Sequence, residues 1–150
     1  MKILGIETSC DDTSVALHDG DRGVVENLLS SQVDLHDRFG GVVPELASRA
    51  HVVNLLPLVD ELMRRQELQP RDLDGVAVTA GPGLMGALLV GLSTAKAIAR
   101  ASGCPLVGVH HLEGHILANS ITHDLVLPMV CLVVSGGHTE LILVREVGRY

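Results

Sequence analysis

The alternation of apolar and polar residues divides the first part of the chain into three short strands. Two apolar runs, residues 2–8 and 13–18, flank the polar turn SCDD and predict a β-hairpin, and residues 24–31 predict a third strand. The segment 32–43 contains a Gly-Gly pair and predicts a loop. Three consecutive strands before the first helix distinguish this order from a simple Rossmann pattern.

Helical spacing begins after this loop. Pro44 opens a helix that we expect to extend to about Gln66, because proline is well tolerated at a first helical position. Short apolar runs at 75–79 and 106–109 predict buried strands, each followed by a helix, and the alternation predicts a mixed sheet with helical cover. Apolar residues recur in the first helix at three- to four-residue intervals, at Leu46, Val53, Leu56, Val59 and Met63.

The polar turn of the first hairpin has a counterpart near the end of the chain. MVCLVVSGGHTELIL runs apolar strand, polar turn, apolar strand, as KILGIETSCDDTSVAL does. Ser9 is as far from Ser135 along the chain as Thr13 is from Thr139. Two hairpins of one design predict two lobes built on one plan. Turn N–H groups and hydroxyls facing a shared cleft can hold a phosphorylated ligand.

Composition narrows the possible functions. A hydrophobic content of 47% and a mean hydropathy of +0.36 indicate a folded protein. The net charge of −7 argues against unaided nucleic-acid binding. The sequence has one Phe, one Tyr and no Trp, which argues against a base-stacking platform; the two residues are Phe39 and Tyr150. Three cysteines without a CxxC pair fit a reducing compartment. With no signal peptide and no membrane-spanning run in the sequence, we expect a cytoplasmic protein.

The segment HHLEGH is the sharpest candidate for a metal site. His111 and His115 are four residues apart, so on a helix they share one face and can bind one ion. Glu113 lies one position later than the glutamate of HExxH, which counts against the zincin mechanism. Two histidines leave the ion short of a third protein ligand. The alternative is a polar helix end with ordinary exposed histidines, although a preceding strand favours a ligand site.

The two polar turns are candidate ligand-binding loops. In VVSGGHTE, Gly136 and Gly137 permit close approach of the backbone to an anion, and the serine and threonine add hydroxyl donors. In TSCDDTS, Asp11 and Asp12 can serve as a general base or bind a divalent cation on nucleotide phosphates. The alternatives are a plain hairpin turn and a solvated turn. The pairing of the two turns favours the ligand-binding interpretation.

Two further segments carry weaker signals. AGPGLMG opens a helix whose N-terminus can attract phosphate, but it lacks the lysine of a Walker A loop, so tight strand–helix packing is favoured. PELASRAH carries charge on a helical face and predicts a solvated or partner-facing surface.

Five segments in this order resemble the N-terminal part of the tRNA threonylcarbamoyladenosine transferase family, also called the glycoprotease or O-sialoglycoprotein endopeptidase family. They are ETSCDDTS, GGVVPELASRAH, TAGPGLMGALLVG, HHLEGH and LVVSGGHTEL. The resemblance implies an α/β fold of the actin, sugar-kinase and Hsp70-like (ribonuclease H-like) class, a mixed sheet with helices on its faces. We expect a first lobe over residues 1–124 and the opening hairpin of a second lobe over 125–150.

The resemblance also implies a reaction. The family transfers a threonylcarbamoyl group from the ATP-derived threonylcarbamoyl-adenylate to the adenosine adjacent to the tRNA anticodon. His111 and His115 match its metal ligands, for one divalent ion, iron or zinc. Ser9 lies in the matching phosphate-facing turn, where Asp11 and Asp12 are the expected catalytic residues. The second turn supplies the expected substrate-binding residues Val133, Val134, Ser135, Gly136, Gly137 and His138.

The resemblance implies partners as well. We expect a paralogous actin-fold subunit, a small ATPase subunit and tRNA bound through the complex, with no membrane. The family's third metal ligand, an aspartate, has no counterpart in these residues, so we expect a fragment of a longer chain. We also expect the fragment to self-associate through its second hairpin.

Two other functions stay open at this point. The first is a zinc-dependent O-sialoglycoprotein endopeptidase, against which the position of Glu113 counts. The second is a non-catalytic scaffold, such as the shorter paralogue that uses the same fold and lacks the metal histidines. The presence of HHLEGH argues against the scaffold.

Overall fold

The computed structural model describes residues 1–135, 137 and 139–150 of the chain. Two of the predicted substrate-binding residues, Gly136 and His138, therefore lie outside the described residues. All other predicted site residues are described.

The described part of the chain divides into two compact units. Unit 1 is Met1–Val109 and unit 2 is His110–Tyr150. The predicted lobe boundary between residues 124 and 125 refers to the complete two-lobed fold and stays a prediction.

The elements follow the predicted order of three strands, alternating helices and strands, and a final hairpin. The strands are β1 (Lys2–Glu7), β2 (Asp12–Asp19), β3 (Gly23–Ser31), β4 (Gly75–Gly81), β5 (Leu106–His110), β6 (Met129–Val134) and β7 (Thr139–Val144). The α-helices are α1 (Val33–Asp37), α2 (Pro44–Arg65), α3 (Met85–Ser102) and α4 (His111–Leu117). Within the described residues, none of the helices combines the length and apolar character needed to cross a membrane.

The short helix α1 lies inside the segment predicted as a loop. His36 is buried and bonded at both ring nitrogens, because its Nδ1 accepts from the Val43 N–H at 3.3 Å and its Nε2 lies 3.2 Å from Gln32 Oε1. These side-chain bonds hold the segment in place. A helix of five residues is too short to show a hydrophobic period, so the pattern missed it.

Strand β1 runs through the middle of the five-stranded sheet of unit 1, whose order is β3-β2-β1-β4-β5. It pairs antiparallel with β2, from Lys2 opposite Asp19 to Glu7 opposite Ser14, and parallel with β4. Strand β2 in turn pairs antiparallel with β3. The sheet is therefore mixed, which confirms both the predicted fold class and the pairing of the first two strands.

Helices α2 and α3 pack on the sheet and on each other. The helix predicted from Pro44 is confirmed, and Met63 of the predicted stripe is buried, but two other members of the stripe are not. Val53 is 69% exposed and Leu56 is 59% exposed. The core residues of the sheet and the two helices include Leu4, Ile6, Val76, Val78, Leu55, Leu62, Ala95 and Ala99. Small residues on α3 allow α2 to pack closely against it. The buried face of α2 is therefore the one that contacts α3 and the sheet, whatever its average hydrophobicity.

Strands β6 and β7 form a separate two-stranded sheet in unit 2. They pair in a continuous antiparallel register in which Val133 faces Glu140 and Val134 faces Thr139. Alternation places one set of apolar side chains on an exposed face, which we call the hairpin face. Its members are Val130, Leu132, Val134, Leu141 and Leu143, each 47–73% exposed.

Candidate functional site

The turn between β1 and β2 is anchored to the rest of unit 1 through Ser9. The Ser9 residue is 2% exposed, its N–H donates to a Glu7 carboxylate oxygen, and its carbonyl accepts from the Leu84 N–H at 2.7 Å. The second Glu7 oxygen accepts from Thr79 Oγ1 on β4 at 2.6 Å. The first predicted ligand-binding turn is therefore tied to a neighbouring strand and to the start of α3.

The AGPGLMG segment packs against this turn. A Cβ atom on Gly83 would lie 2.6 Å from the Ser9 carbonyl oxygen and 2.7 Å from Ser9 Cβ, so only glycine fits there. Further along α3, a Cβ on Gly91 would lie 2.3 Å from Thr8 Oγ1, which donates to the Ala87 carbonyl at 2.9 Å. The predicted tight strand–helix packing is confirmed.

The acidic pair follows this anchored segment. Asp11 lies in the turn and Asp12 is the first residue of β2. Among the described residues, Asp12 Oδ1 is buried with no hydrogen-bond partner. A buried carboxylate oxygen without a donor is costly, and such an atom usually faces a ligand, an ion or water. Asp12 is thus suited to accept a donor or a cation from a ligand.

Cys10 lies in the acidic turn, and its thiol has a raised pKa. Although the residue is exposed, desolvation of its sulfur, with a hydrogen bond to Asp11 as the next cause, raises the pKa of Cys10 to about 11.

We expect slow alkylation of Cys10 at pH 8, where about one thiol in a thousand is ionised, with a steep rise towards pH 11. Mass spectrometry after iodoacetamide treatment measures the rate. Asp11→Asn should increase the rate at pH 8 severalfold, and an unchanged rate would contradict the role given to the carboxylate.

His51 contacts the acidic turn, and the sequence pattern missed it. PELASRAH was expected to form a solvated or partner-facing surface, and this is wrong for Ala47 and His51, which are fully buried. The expectation of a solvated surface is correct for Glu45 and Arg49, which form an exposed ion pair at 2.8 Å. The burial of His51 could have been predicted from its spacing, because Ala47, His51 and Leu55 are four residues apart and lie on one face of α2, which is buried.

The candidate metal ligands lie together on α4 in unit 2. The Nε2 atoms of His111 and His115 are 3.0 Å apart, and the rings meet edge to face with centroids 4.4 Å apart. Two nitrogens bound tetrahedrally to one zinc ion stand about 3.3 Å apart, so the pair fits two ligand positions with little movement. Among the described residues, no group of three or more His, Cys, Asp or Glu side chains could hold a metal ion. The pair fits part of a metal site, and a third ligand must come from elsewhere.

The second candidate turn follows β6. The Val133 side chain is 7% exposed and that of Val134 is 69% exposed, as expected for neighbours on opposite faces of a strand. Ser135 and Gly137 are exposed, while Gly136 and His138 lie outside the described residues. The assignment of this stretch to substrate binding stays a prediction.

The comparisons with known proteins identify the family. The family model for TsaD, tRNA N6-adenosine threonylcarbamoyltransferase, matches residues 23–150. The chain belongs to this family. Two curated relatives bear the same name: one from Geobacillus thermodenitrificans is 54% identical over 99% of this chain, and one from Geobacillus kaustophilus is 53% identical over 99% of this chain. Each match spans 43% of the relative's own length.

The solved structures support the fold. YeaZ from Pseudomonas aeruginosa is similar with a TM-score of 0.59 and 20% identity, covering 95% of this chain and 66% of that one. At this identity the likeness shows the fold alone. It agrees with the mixed sheet that the family resemblance implied and that the structure shows with five strands.

Glu113 has a different partner from the one a zincin-type base would need. Its Oε1 accepts a hydrogen bond from the Tyr150 hydroxyl at 2.5 Å. Burial, followed by this bond, raises the pKa of the Tyr150 hydroxyl. The Glu113 carboxylate is thus bonded to a hydroxyl group, and this bond gives the endopeptidase alternative no support.

Proposed function

We propose that this protein acts in tRNA modification, transferring a threonylcarbamoyl group from threonylcarbamoyl-adenylate to the adenosine adjacent to the anticodon. The observation that carries the proposal is the family match over residues 23–150, within which two imidazole nitrogens stand 3.0 Å apart. The chain spans less than half the length of the curated relatives it matches. The complete reaction is therefore proposed for the protein to which these residues belong.

His111 and His115 would hold one divalent ion, iron or zinc, and an aspartate outside these residues would complete its ligands. When bound, the ion supplies Lewis-acid stabilisation of charge on the adenylate. The donors fit such an ion, because neutral imidazole is a common ligand of both metals.

The first turn supplies the acidic groups of the proposed reaction. The attacking adenosine amine forms a bond to the carbamoyl carbon, the bond from this carbon to the phosphate oxygen breaks, and AMP leaves. The amine must lose a proton in this exchange. Asp12, whose Oδ1 lacks a partner among the described residues, is suited to receive it, with Asp11 beside it.

The second turn is proposed to bind the substrate through its backbone. Ser135 and Gly137 are exposed at the end of β6, where N–H groups and the serine hydroxyl can meet phosphate oxygens. Val133 and Val134 set the register of this stretch through their pairing with β7. Gly136 and His138 complete the proposed substrate-binding set.

We further propose that the protein works in a cytoplasmic complex with a paralogous actin-fold subunit and a small ATPase subunit. The packed helices α2 and α3 both expose large apolar side chains, which suit docking of such a paralogue. These are Val52, Val53, Leu56, Met85 and Leu89. With a net charge of −7, the chain itself is poorly suited to attract tRNA, so the partners would supply most phosphate contacts.

The proposed activity is tested by nucleoside mass spectrometry. The full-length protein is loaded with metal and combined with its partner subunits and unmodified tRNA. It is given ATP, threonine, bicarbonate and an enzyme that makes threonylcarbamoyl-adenylate from them. Accumulation of threonylcarbamoyladenosine supports the proposal. Its absence, in a mixture where the adenylate is shown to form, would overturn it.

Self-association of the 150-residue chain is a separate expectation. Burial of the hairpin face is worth about 25 cal/mol per Å² of apolar surface, so we expect dimers or larger species at micromolar concentration. Sedimentation velocity measures this state. Leu132→Lys should shift the chain towards monomer, whereas Leu29→Lys, at an exposed site on β3, should not. A monomer at these concentrations would contradict the expectation.

A further inference from the structure

His51 contacts the chain on both sides of the acidic pair. It lies on α2 and is fully buried. Its Nδ1 is 2.8 Å from Thr13 Oγ1, and its Nε2 is 3.0 Å from the Cys10 carbonyl oxygen. One side chain from a helix thus bridges the residues that immediately precede and follow Asp11 and Asp12.

The Cys10 carbonyl fixes the role of Nε2, and the neutral form of the ring then sets that of Nδ1. A carbonyl oxygen only accepts, so Nε2 must carry the proton that it donates to Cys10. In the neutral ring, Nδ1 then accepts from the Thr13 hydroxyl. One neutral tautomer satisfies both bonds, as a fully buried side chain requires.

These bonds complete the support of the turn. Ser9 is held from the other side by the Leu84 N–H and by Glu7. Asp12 Oδ1 has no partner of its own among the described residues, so its position depends on the backbone that carries it. A shift of about 1 Å in a reacting group can lower a rate about a hundredfold.

We propose that His51 is a positioning residue, which fixes the Asp11–Asp12 turn for the transfer reaction by donating from Nε2 to the Cys10 carbonyl. It is too deeply buried to meet substrate, so it acts through the turn. This proposal rests on the proposed function for its kinetic consequence. Its structural part, that His51 fixes the position of the turn, depends only on the hydrogen bonds to Thr13 and to the Cys10 carbonyl.

Three variants separate positioning from general stability. His51→Gln keeps an amide donor near the place of Nε2, His51→Asn places its amide near Nδ1 and leaves no donor at the place of Nε2, and His51→Leu keeps neither group. Leu55→Ala is the control, because Leu55 is buried on α2 one turn beyond His51 and belongs to the hydrophobic core. It lowers stability without removing a bond to the turn.

The first measurement is hydrogen exchange at the backbone amides of Asp11 and Asp12. We expect exchange to become about tenfold faster in the Leu and Asn variants, and to stay near wild type in the Gln variant and in the Leu55→Ala control. If His51→Leu does not fold, the Gln and Asn variants decide the question. Equal exchange in those two variants would overturn the proposal.

The second measurement is steady-state transfer with the full-length protein in its complex. We expect kcat to fall about tenfold to a hundredfold for the Asn and Leu variants, with KM for tRNA unchanged and with recovery in the Gln variant. A fall of the same size in Leu55→Ala would overturn the positioning role. If the wild-type protein transfers nothing while its adenylate is supplied, the proposed function fails, and the exchange data alone decide whether His51 holds the turn.

Discussion

Replacing His111 with alanine should lower the rate of threonylcarbamoyl transfer by more than about a hundredfold. Loss of a group that merely hydrogen-bonds to a metal ligand typically costs about 10–100-fold, so loss of a ligand should cost more. The same substitution should remove stoichiometric iron or zinc from the full-length protein. Single-turnover transfer and metal content measured on the same preparation test both expectations.

A matched control is available in unit 2. His123 is exposed and its Nδ1 is 2.7 Å from Thr122 Oγ1, so His123→Ala removes an imidazole without touching the α4 pair. We expect nearly unchanged transfer and metal content in this variant. If His111→Ala retained both full metal content and full activity, the histidine pair would not be the metal site.

Gly91→Ala should destabilise unit 1 by about 1–3 kcal/mol, although alanine is the better helix former. The new methyl group would stand 2.3 Å from Thr8 Oγ1 in the packed contact between α3 and the end of β1. Thr8 must rotate away, which breaks its bond to the Ala87 carbonyl and leaves the buried Thr8 hydroxyl without its acceptor. Urea unfolding of the chain measures the loss.

Gly114→Ala is the opposite case and serves as its control. Gly114 lies within α4, and nothing stands within 4 Å of a Cβ placed there. Helix propensity then dominates, so we expect a gain of up to about 1 kcal/mol or no change. If both glycine variants moved stability in the same direction by the same amount, the close contact at Gly91 would not be the cause.

Patterns with a short range along the chain were predictable. The hairpin of β1 and β2 follows from period-two alternation around a polar turn, and its antiparallel register is the one that the turn permits. The helix from Pro44 follows from spacing, and its end at Arg65 is one residue from the expected one. The i and i+4 placement of His111 and His115 is a property of any helix, so their closeness was predictable too.

Features that depend on which surfaces meet were not predictable in the same way. The predicted stripe of α2 contained Val53 and Leu56, yet the helix buries Ala47 and His51. A histidine costs little to bury once a carbonyl and a hydroxyl take up its two nitrogens, and those partners come from a turn some forty residues earlier. Sequence spacing along one helix carries no information about such partners.

The sequence by itself determined the α/β class, the order of the strands and longer helices, the acidic turn, the histidine pair and, through five motifs, the family. These depend on local periodicity, on turn chemistry and on residue types that recur in fixed order. Only the tertiary structure decided that the acidic turn is held from three sides, by Glu7, by the Leu84 N–H and by His51, and that Asp12 Oδ1 is left without a partner among the described residues. The physical reason is that hydrogen-bond satisfaction in a buried site is settled by groups distant in sequence, which become neighbours only when the sheet and helices pack.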